Sequence, residues 1–159
     1  MPKVVEVEMV SHLEEVKQAA EIDILAWLAA IGEDAAETAA EKAPVDTGAL
    51  KNSISYATPV EHGRGTSTPH ATPEKNSVYI GTNIKNAQGK NYAIYHEFGT
   101  GIYASEGAGR QTPWAFKGKD GKWHYTKGVP AKHFLKFGAV AHKNEYKKAL
   151  EMYLKGQTE

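Results

Sequence analysis

Asp46-Thr47-Gly48, set between Ala43-Pro44-Val45 and Ala49-Leu50, has the clearest chemical potential in this chain. In an aspartic protease two Asp-x-Gly loops face each other, and two carboxylates share a proton to activate water. Asp46 is the single candidate here, so that chemistry would require a dimer. The protease loop follows an apolar strand and is braced by a later apolar-apolar-Gly segment. Asp46 instead follows Glu41-Lys42-Ala43-Pro44, and Tyr79-Ile80-Gly81 is a poor brace. The same residues also have a structural use, because Asp46 can accept local backbone N–H bonds while Gly48 permits a tight turn. A dimeric retroviral-type aspartic protease using Asp46 is the alternative to that structural reading.

Other chemistry-bearing types are less organised. His96-Glu97 would suggest zinc only with a second His four residues on, where Thr100 stands. The seven histidines show no ligand spacing. Gly63-Arg64-Gly65 and Gly107-Ala108-Gly109 lack the strand-to-helix context and the Lys-Ser/Thr pair of a phosphate loop. Trp114, Trp123 and Tyr125 beside Lys117, Lys119 and Lys122 could stack on single-stranded nucleic acid. Such aromatics also serve as cross-strand pairs in a hairpin.

The elements that must position these residues follow from pattern. With 159 residues a single domain over 1–159 is expected. No cysteine is present, which excludes disulfides and thiolate chemistry and suits assembly in a cytoplasm. No apolar run approaches the roughly 20 residues that span a bilayer, and the first residues lack the apolar centre of a signal peptide. Lys3 to Met9 alternates as a short edge strand. Ser11-His12-Leu13-Glu14 fits a capping box that opens a long helix, ended near Lys42 by Pro44, with Gly32 as a place to bend. Alternation predicts strands over 53–57 and 77–81, and Tyr92, Tyr95 and Phe98 mark and anchor a short helix over 91–98 that stops at Gly99. The segments 59–76 and 99–112 read as flexible loops. Asp120-Gly121 between aromatic alternations predicts a hairpin over 113–127. A last amphipathic helix opens at Pro130 and runs to about Lys155.

Three segments in order resemble one family. They are Ala43-Pro44-Val45-Asp46-Thr47-Gly48-Ala49-Leu50-Lys51-Asn52-Ser53-Ile54, Tyr92-Ala93-Ile94-Tyr95-His96-Glu97-Phe98-Gly99-Thr100-Gly101, and Val129-Pro130-Ala131-Lys132-His133-Phe134-Leu135-Lys136. Together they look like the tail-completion proteins (head–tail connector or neck proteins) of long-tailed bacteriophages and prophages. The third segment departs from the family pattern, with His133 and Phe137 where prolines are usual. Residues 101–128 look like an insertion. The resemblance implies an α+β fold: a long N-terminal helix packed on a small antiparallel sheet, an inserted β-hairpin and a C-terminal helix. It gives structural roles to Pro44, Asp46, Thr47, Gly48, Leu50, Ser53, Tyr92, Ala93, Glu97, Phe98, Gly99, Thr100, Pro130 and Phe134, with Glu97 bonding backbone or a basic neighbour. It implies no catalysis, cofactor or metal. It implies a virion protein, assembled in the host cytoplasm, that forms a homo-oligomeric ring (a hexamer or dodecamer). The ring's partners would be the tail-tube protein, the tail terminator and the head connector or adaptor. DNA would pass through the lumen without sequence-specific binding, and no membrane is involved.

Charge suggests how copies meet. Residues 1–50 carry 3 Lys/Arg against 11 Asp/Glu, whereas residues 85–136 carry 9 against 3, although the whole chain is neutral. Neutrality argues against strong free DNA binding, which rests on phosphate neutralisation. The polarity suits head-to-tail packing, with Glu33, Glu37 and Glu41 of one copy facing Arg110, Lys117 or Lys119 of the next.

Overall fold

The computed structural model describes residues 23–45, 48–69 and 71–158. The strand expected over 3–9, the capping box at Ser11 and the stretch of long helix expected over 11–22 lie outside them. Residues 23–42 form helix α1. Ala43 still donates its N–H to Ala39 O at 2.9 Å, and the helix stops there because Pro44 disfavours helical geometry at the preceding residue. Leu28, Ala35, Ala36, Ala39, Ala40 and Ala43 recur at helical spacing and are buried. Asp23, Ala26, Ala30, Glu33, Glu37 and Glu41 form the exposed opposite face.

An alanine face lets the helix lie close to whatever it covers. Gly32 takes this furthest: a Cβ there would come within 2.7 Å of Val78 Cγ2 and 2.8 Å of Tyr56 Cβ. Its role is therefore close approach to the sheet, where the sequence suggested a bend. The sheet is antiparallel, in the order β2-β1-β3, from Ser55–Ala57 (β1), His62–Gly63 (β2) and Tyr79–Gly81 (β3). Tyr56 pairs with Ile80 on one side and Gly63 on the other.

Ser53 was expected to open the first strand, but it closes a short helix α2, Ala49–Ser53. Gly48, at φ 82°, turns the chain, and Asn52 N–H donates back to Gly48 O at 2.9 Å. Leu50 then enters the core at 5% exposure. In the 59–76 segment, expected as a flexible loop, His62–Gly63 forms β2 and Ser67 Oγ donates to Ser53 O at 3.0 Å. Its glycines and prolines shape turns around backbone that is already paired.

The short helix α3 spans Ala93–Phe98, with Asn91 Oδ1 accepting the Ala93 N–H at 3.0 Å. Residues 99–112 were expected to be flexible. They contain two 3-10 turns, Gly101–Tyr103 and Ser105–Gly107. The hairpin forms as expected from β4, Trp114–Lys117, and β5, Trp123–Thr126, in a separate two-stranded sheet.

The single terminal helix expected from Pro130 is instead two helices, α4 (Phe134–Val140) and α5 (Lys143–Thr158). Pro130 precedes the first turn, because residues 127–132 are held against 96–102 by backbone bonds before the chain can coil. The break falls where His142 reaches Asp34 of α1. The core gathers Ala36, Ala39, Ala40, Ala43, Leu50, Ile54, Ala93 and Phe134, with Tyr56, Ile80, Ile84, Tyr92 and Leu135 packed around it. These elements make the chain α+β, as the motifs implied.

Gly32→Ala should test the closeness of α1 to the sheet. Helix propensity alone favours alanine by about 1 kcal/mol. Forcing a methyl against Tyr56 and Val78 should outweigh that gain, for a net loss of about 1–3 kcal/mol. Urea unfolding followed by circular dichroism would read it, and a stabilised variant would refute the close contact.

Candidate functional site

The second and third motifs meet at Glu97. Ala93 and Glu97, one helical turn apart, form the buried face of α3. The Glu97 carboxyl oxygens accept the N–H of Leu135 at 2.8 Å and of Lys136 at 3.0 Å. These are first-turn donors of α4, which a helix cannot satisfy internally. The residue before α4, His133, sits at φ 48° and supplies no side-chain cap. Glu97 caps α4 from 38 residues away in sequence. His133 N–H and Lys132 N–H also donate to the carbonyls of Glu97 and His96. Phe134, fully buried, follows directly.

Tyr95 and Phe98, expected as anchors of α3, point outward at 47% and 55% exposure. With the helix beginning at Ala93, the inward face is 93/97 rather than 92/95/98. Tyr92 alone of the three packs against the core.

Gly99-Thr100-Gly101 runs alongside the segment leading to α4. Thr100 N–H donates to Val129 O at 2.8 Å, Val129 N–H donates to Thr100 Oγ1 at 2.9 Å, and Ile102 N–H donates to Lys127 O at 3.0 Å. At Gly99, φ is 74°, and a Cβ would lie 2.6 Å from Tyr103 O. The motif thus clamps the chain where it leaves the hairpin. In the first motif, Ser53 Oγ donates to Leu50 O at 2.7 Å and lies 2.6 Å from Thr82 Oγ1, which also meets Ser67 Oγ at 3.0 Å. This buried hydroxyl cluster ties α2, the 59–76 segment and the end of β3 together. Asp46 and Thr47 lie outside the described residues. The described chain on either side of them is helical, α1 before and α2 after, with Pro44 half-buried. An aspartic protease loop would follow a strand.

The surface carries the apolar groups the core leaves out. Ile94, Tyr95 and Phe98 of α3 border an open groove of about 1720 Å³ that Ile31 and Ala35 of α1 and Ile80 of β3 also line. The hairpin exposes Trp123 at 70% and Tyr125 at 83%. Strand alternation and register put Trp123 and Tyr125 on one face with Ala115 and Lys117. On the other face Phe116 stacks on His124, whose Nε2 lies 3.0 Å from Asp120 Oδ1. Those bonds hold the Asp120 carboxyl below its ordinary range. All six charged residues expected at an interface, Glu33, Glu37, Glu41, Arg110, Lys117 and Lys119, are exposed. Glu33 lies 3.9 Å from Arg64 Nε. The Arg110 guanidinium sits over the Trp114 ring at 5.7 Å and its Nε donates to Thr112.

One cluster escaped sequence reasoning. Tyr146 Oη donates to Asp34 Oδ2, and His142 Nδ1 lies 2.7 Å from the same oxygen. Tyr153 Oη donates to Asp23 Oδ2 at 2.6 Å. Together they strap α5 along α1. The available signal was His142-x-x-x-Tyr146, two polar rings four residues apart on one helix face. The bonds from Tyr146 and His142 hold Asp34 below its ordinary value, and the bond to Asp34 raises His142. Burial first, then the bond to Asp34, raises Tyr146.

Residues 8–99 match the HK97-gp10-like family model, described as "Bacteriophage HK97-gp10, putative tail-component". The match takes in the first motif and the second as far as Gly99; the hairpin and the third motif lie beyond it. Neither the curated proteins nor the solved structures yield a match. No described helix is long and apolar enough to cross a membrane.

Glu97→Ala should leave two part-buried first-turn N–H groups of α4 without their acceptor, at a cost of about 1–3 kcal/mol. Thermal unfolding would show it, and hydrogen exchange should locate the loosening in α4. Uniform loosening of the whole fold would contradict a capping role.

The α5 strap should depend on pH. His142 is raised in the fold, so its contribution is complete below 6.5 and is lost as pH climbs through the raised value. Asp34 is lowered, so its contribution is complete above 3.8 and is lost as pH falls through the lowered value. Amide protection in α5, corrected for intrinsic exchange, should be greatest between those limits and decline on the alkaline side. His142→Ala should flatten the alkaline decline, and an unchanged profile would exclude the pair.

Proposed function

The chain belongs to the HK97-gp10-like family of bacteriophage tail components, and from that premise we propose that it completes the tail at its junction with the head. In this reading it is a structural virion protein, one subunit of a homo-oligomeric ring through which DNA passes. It meets the tail-tube protein, the tail terminator and the head connector or adaptor. It performs no catalysis, and the whole chain acts as one tail-completion domain.

The carrying observation is the way the motif residues are used. Ser53, Glu97, Gly99 and Thr100 all act on their own chain's backbone, closing turns, capping a helix and clamping the hairpin. A catalytic constellation would leave its titratable groups facing a cleft. The groups turned outward here are apolar: Ile94, Tyr95 and Phe98 beside the groove, and Trp123 and Tyr125 on the hairpin. Extended apolar surface of this kind marks contacts with other proteins. The residues that resemble the family motifs build a scaffold, and the scaffold presents surface for assembly.

Assembly in extracts tests this. Heads and tails formed without the protein should accumulate unjoined, and adding the purified chain should restore joined particles with the protein at the junction. Joining that proceeds equally well without it would overturn the reading.

A further inference from the structure

We propose that the outer face of the β4–β5 hairpin docks on the exposed face of α1 in a second copy of this chain. The inference rests on the reading of the chain as a self-assembling neck subunit, and names the surface by which copies join.

The two surfaces are complementary in charge and shape. Residues 110–127 carry five Lys/Arg (Arg110, Lys117, Lys119, Lys122, Lys127) against Asp120 alone. Residues 23–42 carry five acids (Asp23, Glu33, Asp34, Glu37, Glu41) against Lys42 alone. Asp34 and Asp23 are engaged by α5, and Glu33 lies beside Arg64. Glu37 and Glu41 are the exposed acids of the stripe that these contacts do not engage, with Ala26 and Ala30 as its small positions. Small residues on a helix give aromatic rings a flat surface to lie on. The hairpin offers two such rings, Trp123 and Tyr125, at 70% and 83% exposure. Lys117 shares their face, and Lys119 and Lys122 stand in the turn.

The hairpin is shaped to reach outward. It forms its own two-stranded sheet apart from the three-stranded one. Its exit from β5 is fixed by the Thr100–Val129 and Ile102–Lys127 bonds, and at its entry Arg110 lies over Trp114. A rigid arm costs less conformational entropy on docking than a mobile one. Because the arm and the stripe are different patches on one chain, each copy can give its arm to one neighbour and take an arm from another. That is a heterologous contact, which closes into a ring when the rotation permits. The aromatic pair supplies most of the binding, as buried Trp and Tyr do at interface centres. The charges select orientation and are screened by salt.

The natural chain has no cysteine, so single thiols can be placed freely. Full-length Lys117→Cys and Glu37→Cys variants, mixed under mild oxidation, should form a disulfide-linked pair, and neither variant alone should. Trp123→Ala with Tyr125→Ala should raise the concentration for self-association by about 30-fold or more in sedimentation velocity, with circular dichroism unchanged. Lys117→Glu and Glu37→Lys should each weaken association about three- to tenfold, and mixing or combining them should recover most of it. If the wild-type chain assembles while the thiol pair does not form and the aromatic variant assembles equally well, this interface is wrong and the neck reading stands. If the wild-type chain stays monomeric both alone and with tail tubes, both fall.

Discussion

The carboxyl group of Glu97 is the constraint on which the second half of the chain depends. A seven-residue helix such as α4 has little stability of its own, because its first-turn N–H groups have no internal partner. Ordinarily the preceding residue supplies the cap. Here that residue is His133 in a left-handed conformation, and the cap comes from α3. The requirement then propagates. Glu97 must lie on the buried face of α3, so Ala93 one turn earlier must be small, and Tyr95 and Phe98 are turned outward. The chain must also return from the hairpin to place Leu135 and Lys136 over that carboxyl group. The backbone bonds between 99–102 and 127–129 bring it back.

The same economy governs the core. Most of its members are alanines, joined by Leu50, Ile54 and Phe134. Alanine allows the closest approach of a helix to its neighbours, and the Gly32 contact with Tyr56 and Val78 is the limiting case. It buries little apolar area per residue, so such a core contributes less than one filled by leucine and phenylalanine. The larger apolar side chains are consequently found outside, on α3, on the hairpin and along α5. A fold built this way gains stability by covering those surfaces with further protein.

What could be read in the sequence divides along a physical line. Local signals were legible: Pro44 ending α1, the alanine period of its buried face, Gly99 closing α3, and Asp120-Gly121 in the hairpin turn. Each depends on a few adjacent residues. Long-range effects were not. The direction in which α3 faces was misjudged because an aromatic spacing of three outweighed the pair Ala93 and Glu97, whose burial is set by α4. The last helix looked continuous, and at its break His142 meets Asp34, more than a hundred positions earlier. The 59–76 segment looked unstructured because its glycines and prolines hide a two-residue strand, although its partners, Ser53 and β1, lie just before it in sequence. Among the motif residues, the partners that Ser53, Glu97 and Thr100 bond were not legible in the sequence.

The charge arrangement has a consequence for how copies would recognise each other. A chain with zero net charge does not repel its copies at long range. Segregated charge still makes encounter orientation-dependent, because like faces repel and unlike faces attract within about 10 Å at moderate salt. Exposed ion pairs contribute only about 0–1 kcal/mol each, so they cannot hold an assembly together. Affinity has to come from apolar groups that are already rigid and outward-facing, as Trp123 and Tyr125 are on a clamped hairpin. In the proposed interface these two roles would be separate, with charges for orientation and rings for adhesion, so that association would favour one register.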